Sequence, residues 1–193
     1  MAPKYAISGT DPYVVLGMAR RFYLDPNVIE EAFRRTAAQH HPDQATGSTA
    51  SFQELQEAAI ILRDPAKRLR FLAGIPEPRS LPLPPAAMEL FPLVTDCLQK
   101  SESFAKKYQS ASGALTKALL SEELLQERLA LQQTLQQVEK WESSLQQQLQ
   151  SWDASLAQPS LEELLELANQ FTFAQRWLQQ LRERELLLKT VIR

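Results

Sequence analysis

The residues best suited to chemistry lie together at His40-His41-Pro42-Asp43. A histidine and an aspartate this close can act as a general base with its orienting carboxylate, or as imidazole and carboxylate ligands to a metal. The rest of the chain completes neither arrangement. Hydrolysis requires a nucleophile, and no motif supplies one. Adjacent histidines seldom both reach one ion. Cys97, the only cysteine, forms neither a thiolate cluster nor an internal disulfide. Pro42 points to a different use: its ring limits the backbone between two polar side chains, so His41 and Asp43 are presented in a defined geometry at lower ordering cost on binding. The tripeptide suits docking on a partner, with Asp43 as the ion-pairing carboxylate.

Such a loop needs paired elements on either side, and helical periodicity provides them. Ile29, Phe33 and Ala37 recur at i, i+4 after Pro26, with Arg34 and Arg35 turned toward water. Beyond a small, polar stretch from Gln44 to Ala50, a second stripe comprises Phe52, Leu55, Ala58, Ala59 and Leu62. The two helices are expected to pair as an antiparallel hairpin with the tripeptide at its mouth. Asp11-Pro12, Asp25-Pro26 and Asp64-Pro65 each read as a helix start, the Asp accepting from free amides and the Pro occupying a position whose donor is dispensable. A small helix with Tyr13, Val14 and Leu16 and a short one with Leu69 and Leu72 complete four helices.

Composition narrows the class. The formal net charge is −2 and the pI about 5.8, which provides no general field for a phosphate backbone, so a nucleic-acid partner is not expected. No apolar run approaches the roughly 20 residues that cross a bilayer, and the N-terminus lacks the apolar core of a signal peptide. Together with the lone cysteine, this predicts a protein of the cytoplasm with no membrane partner.

From residue 11 to 74 the pattern resembles the J domain of the DnaJ superfamily. The resemblance is carried by Asp11-Pro-Tyr-Val-Val-Leu-Gly17, Ala32-Phe-Arg-Arg35, His41-Pro42-Asp43 and the run from Phe52 to Arg68. It implies that Asp43 engages an arginine of a DnaK-type chaperone and favours the hydrolysis-competent state of that partner, with Arg34 and Arg35 meeting an acidic patch. The ATPase then belongs to the partner; the chain is expected to be no enzyme and to need no cofactor. The stretch Leu16-Gly-Met-Ala-Arg-Arg-Phe-Tyr-Leu-Asp25 further resembles the first connection of HscB-type co-chaperones of iron-sulfur cluster assembly, which implies an HscA-type chaperone and an iron-sulfur scaffold protein as client.

The remainder is expected to be helical as well, giving an all-α protein: a J domain over 8–74, a proline-rich linker over 75–85, and a client-binding three-helix bundle over 86–193. One helix is predicted from about Ala86 to Tyr108. Leu131, Leu135, Val138, Leu145, Leu149, Trp152 and Leu156 step by threes and fours as in a coiled-coil seam, interrupted only where Glu142 follows Trp141. Ser160-Leu-Glu-Glu163 reads as a capping box opening a last helix. Phe173 matches an aromatic of the HscB family's scaffold-binding helix, and Phe173 with Trp177 forms either an exposed aromatic anchor or a widened core stripe. Two segments are candidates for the family's acidic client patch, Met88-Glu-Leu-Phe-Pro92 and Ser121-Glu-Glu-Leu-Leu-Gln-Glu127. In an alternative function the helical half is a structural tether, a coiled-coil module forming a homodimer or docking on another complex.

Overall fold

The structure, a computed structural model, describes residues 10–40, 49–75 and 82–190. These form seven helices and no strand: α1 (Pro12–Val15), α2 (Pro26–His40), α3 (Thr49–Arg63), α4 (Pro65–Leu72), α5 (Pro85–Ser110), α6 (Ala114–Ala154) and α7 (Leu161–Thr190). The all-α expectation holds, and no described helix is long and apolar enough to cross a membrane.

All three Asp-Pro starts behave as expected. The Asp11 carboxylate accepts from the Tyr13 amide at 2.9 Å, Asp25 from Asn27 at 2.8 Å, and Asp64 from Ala66 and Lys67 at 2.9 and 3.2 Å. Each satisfies donors that a helix start leaves free. Further along, the Ser160 amide donates to the Glu163 carboxylate at 2.7 Å, and the Glu163 amide donates to Ser160 Oγ at 3.2 Å. This reciprocal pair holds the Glu163 carboxyl below its ordinary range. The bond from the Ser160 amide is the leading cause.

The chain forms two compact units. One comprises Met1–Leu81 with Gln146–Asn169, the other Pro82–Leu145 with Gln170–Arg193. In the first, α3 packs against α1, α2 and α4, around Tyr13, Leu16, Leu24, Ile29, Leu55, Ala58, Ala59 and Leu62. The end of α3 meets the start of α2, as an antiparallel hairpin requires: Arg63 pairs with Glu30 at 2.6 Å and lies 4.9 Å over the Phe33 ring. Residues 146–169, which the sequence assigns to the C-terminal helical domain, group with this unit, where Trp152 and Asp153 engage Phe22 and Tyr23.

In the second unit, α5, α6 and α7 bury Val94, Cys97, Phe104, Leu124, Leu131, Val138, Trp177 and Leu181 about a common core. Burial pushes the Cys97 thiol up. Along α6 the predicted seam stays inward at Leu131, Val138, Leu145 and Leu149, but Leu156 is 86% exposed. That residue lies beyond the helix end in the left-handed region, at φ 52°, where the Ala157 amide closes the last turn by donating to the Trp152 carbonyl at 2.9 Å. The chain has already left the helical path.

Candidate functional site

His41, Pro42 and Asp43 lie outside the described residues. The helices on either side in the sequence are described: α2 ends at His40 and α3 begins at Thr49.

Arg34 and Arg35 are both exposed on α2. Glu30 reaches Arg34 only loosely, at 3.8 Å, because the same carboxylate is held by Arg63 at 2.6 Å. The Arg34 side chain is 74% exposed. Arg35 lines a cavity of about 430 Å³ with Met18, Tyr23, Val28 and Asp25, between α2 and the connection leading into it.

That connection is fixed by a residue the sequence reading did not single out. Arg68, on α4, is 2% exposed; its Nε donates to the Phe22 carbonyl at 2.9 Å and its guanidinium also bonds the Leu62 carbonyl. Burial lowers its pKa, with the Tyr13 phenol opposing that shift. Tyr13 Oη donates to the Arg21 carbonyl at 2.8 Å, and burial pushes this phenol up. A buried arginine bonding main-chain carbonyls in two segments ties α3, α4 and the α1–α2 connection together.

Residues 11–71 match the DnaJ domain family. This segment is a DnaJ domain. Its relatives include the chaperone protein DnaJ of Hyphomonas neptunium, 41% identical over 68 residues, covering 34% of this chain and 17% of that one. The DnaJ of Roseiflexus sp. is 47% identical over 60 residues, covering 30% and 16%. Human DnaJ homolog subfamily C member 7 is 36% identical over 72 residues, covering 33% and 14%. The match thus spans about one sixth of each relative's length. Among solved structures, the chaperone HscB from Vibrio cholerae is similar with a TM-score of 0.50 and 19% identity, covering 94% of this chain and 97% of that one. This likeness is one of fold: a DnaJ domain followed by a helical bundle.

A second candidate surface lies in the other compact unit. Phe91, Val94 and Leu98 of α5 and Phe173, Arg176 and Trp177 of α7 line a groove of about 480 Å³. Trp177 is not the exposed anchor that its spacing allows. It is 6% exposed, with ring centroids of Trp141, Phe173 and Phe91 at 5.8, 5.9 and 6.4 Å. Three aromatic neighbours from three helices make it core. Phe173 is half-buried beside it, and the exposed aromatic of the groove is Phe91, 49% exposed, with Met88 at 60% one turn earlier on α5. Glu102 supplies an acid on the same groove; the Lys106 ammonium, with Arg184 behind it, holds this carboxyl below its ordinary range. Of the two candidate acidic segments, Met88–Pro92 therefore shares Phe91 with the groove of Phe173. Glu123 and Glu127 from the other segment line a separate cavity with Asp96, Lys100 and Lys107.

Proposed function

We propose that the chain is a co-chaperone that stimulates the ATPase of a DnaK- or HscA-type chaperone through His41-Pro42-Asp43 and delivers an iron-sulfur scaffold protein as client. The observation that carries this reading is the DnaJ domain at residues 11–71, within which the tripeptide lies in sequence between α2 and α3. Pro42 stiffens the loop, Asp43 offers its carboxylate to an arginine of the partner, and Arg34 and Arg35 add a salt-sensitive attraction that accelerates encounter. The chain performs no bond-breaking step itself. ATP hydrolysis is the chaperone's, and the cluster is cargo of the client.

The HscB-like fold and the half-buried Phe173 beside Phe91 support a client face on the α5–α7 groove. Apolar anchors rimmed by Glu102 and Arg176 suit a partner surface of mixed apolar and charged character. Binding of a purified iron-sulfur scaffold protein, compared between wild type, Phe173→Ala and Phe91→Ala, tests this half. Weakening of about tenfold or more by either variant is expected, and equal binding by all three contradicts the client assignment.

One observation favours the tether as a second reading. Leu115, Leu119, Leu125 and Leu129 are 76, 73, 64 and 52% exposed on α6, whereas Leu120, Leu124 and Leu131 are buried in the core. Pairing with a second copy would cover these leucines. Sedimentation velocity over a concentration series tests it: a dimer that Leu119→Gln dissolves supports the tether, and a monomer throughout removes its homodimeric form.

A further inference from the structure

Residues 18–25 join α1 to α2 without regular secondary structure, so the backbone groups at their centre need partners from elsewhere. The carbonyls find two within the DnaJ domain: Arg21 accepts from Tyr13 Oη and Phe22 accepts from Arg68 Nε. The donors find theirs far away in sequence. The Phe22 amide donates to Asp153 Oδ1 at 3.0 Å and the Tyr23 amide donates to Oδ2 at 2.8 Å. One carboxylate thus receives two consecutive amides, one on each oxygen. Trp152 meets the Phe22 ring edge-on, with centroids 5.4 Å apart and planes at 74°. All these residues belong to one compact unit.

We propose that Asp153 is a positioning residue of the DnaJ domain, contributed by the end of α6 from outside the matched segment, and that it sets the path of the chain into α2. The geometry favours this over a general stabilising role. Tyr13 and Arg68 hold the carbonyl side of the connection through hydrogen bonds of their own, so loss of Asp153 frees two donors without removing a core side chain. The freed segment ends two residues before Asp25, whose carboxylate caps α2. A looser connection makes the entry to α2, and hence the placement of Arg34 and Arg35, less defined. Charge-assisted bonds from an amide to a carboxylate are among the stronger hydrogen bonds, and Asn preserves the shape of Asp while offering one acceptor oxygen in place of two.

The test is residue-resolved amide hydrogen exchange on the full chain. Asp153→Ala is expected to accelerate exchange at Phe22 and Tyr23 at least tenfold while Val94 and Leu181, in the other unit, keep their rates; Asp153→Asn falls between. Unchanged exchange at Phe22 and Tyr23, or equal acceleration at Val94 and Leu181, overturns the proposal. If the Ala variant does not fold, the isosteric Asn variant carries the same comparison. A second readout rests on the proposed co-chaperone function: the concentration of Asp153→Ala giving half-maximal stimulation of a DnaK-type ATPase rises several-fold, with the maximum retained. Absence of stimulation by wild type contradicts that function and leaves the exchange result intact; a half-maximal concentration equal to that of wild type counts against positioning.

Discussion

Arg68 shows how much one residue can carry when its charge is buried. Its guanidinium lies among the core of the first unit and bonds carbonyls of Phe22 and Leu62. Removing it strands both acceptors and leaves a cavity, so Arg68→Ala is expected to cost about 3 kcal/mol in urea unfolding. Arg68→Lys is expected to recover little, because one compact ammonium does not reproduce a planar fork with donors in two directions. At the other site the two aromatics separate by burial. Trp177→Ala removes a core ring and is expected to cost about 3–5 kcal/mol, whereas Phe173→Ala at the groove edge is expected to cost less and, on the proposed client reading, to weaken scaffold binding. The i, i+4 spacing of Phe173 and Trp177 was legible in the sequence. Which of them is buried was not, because Phe91 and Trp141, on other helices, decide it.

At the scale of the element, the legible features are those whose partners lie within three residues. The Asp-Pro caps and the Ser160–Glu163 box form from neighbouring groups alone, and each is where its sequence places it. Because the Glu163 carboxyl is held below its ordinary range, its contribution is present above the unfolded carboxylate pKa and is lost as pH falls through the lowered folded value. The protection factor of the Ser160 amide, which donates to that carboxylate, is therefore expected to fall only in acid, and Glu163→Gln removes that pH dependence. The end of α6 was less legible. The three-and-four spacing runs on to Leu156, but the left-handed residue that closes the helix is normally a glycine, and a leucine there gives no signal. Leu156 is exposed and its backbone conformation is strained for a side chain. Leu156→Gly is thus expected to raise stability by about 1 kcal/mol, seen as a Tm a few degrees higher; an unchanged or lower Tm contradicts the strain.

Across the whole molecule, chain order and packing differ. The prolines from Pro76 to Pro85 separate two helical segments in sequence, yet residues 146–169 fold with the first unit. No local pattern announces this, since Asp153 is an ordinary polar residue on α6 until Phe22 and Tyr23 are brought to it. The DnaJ domain was legible because its features are short and ordered along the chain: caps, stripes and the tripeptide between them. The role proposed for that tripeptide is tested by single-turnover ATP hydrolysis on a DnaK- or HscA-type chaperone, with wild type and His41→Gln. Wild type is expected to accelerate hydrolysis at least severalfold, and His41→Gln, equally folded by circular dichroism, to leave the basal rate. No acceleration by wild type, or equal acceleration by the variant, contradicts that role.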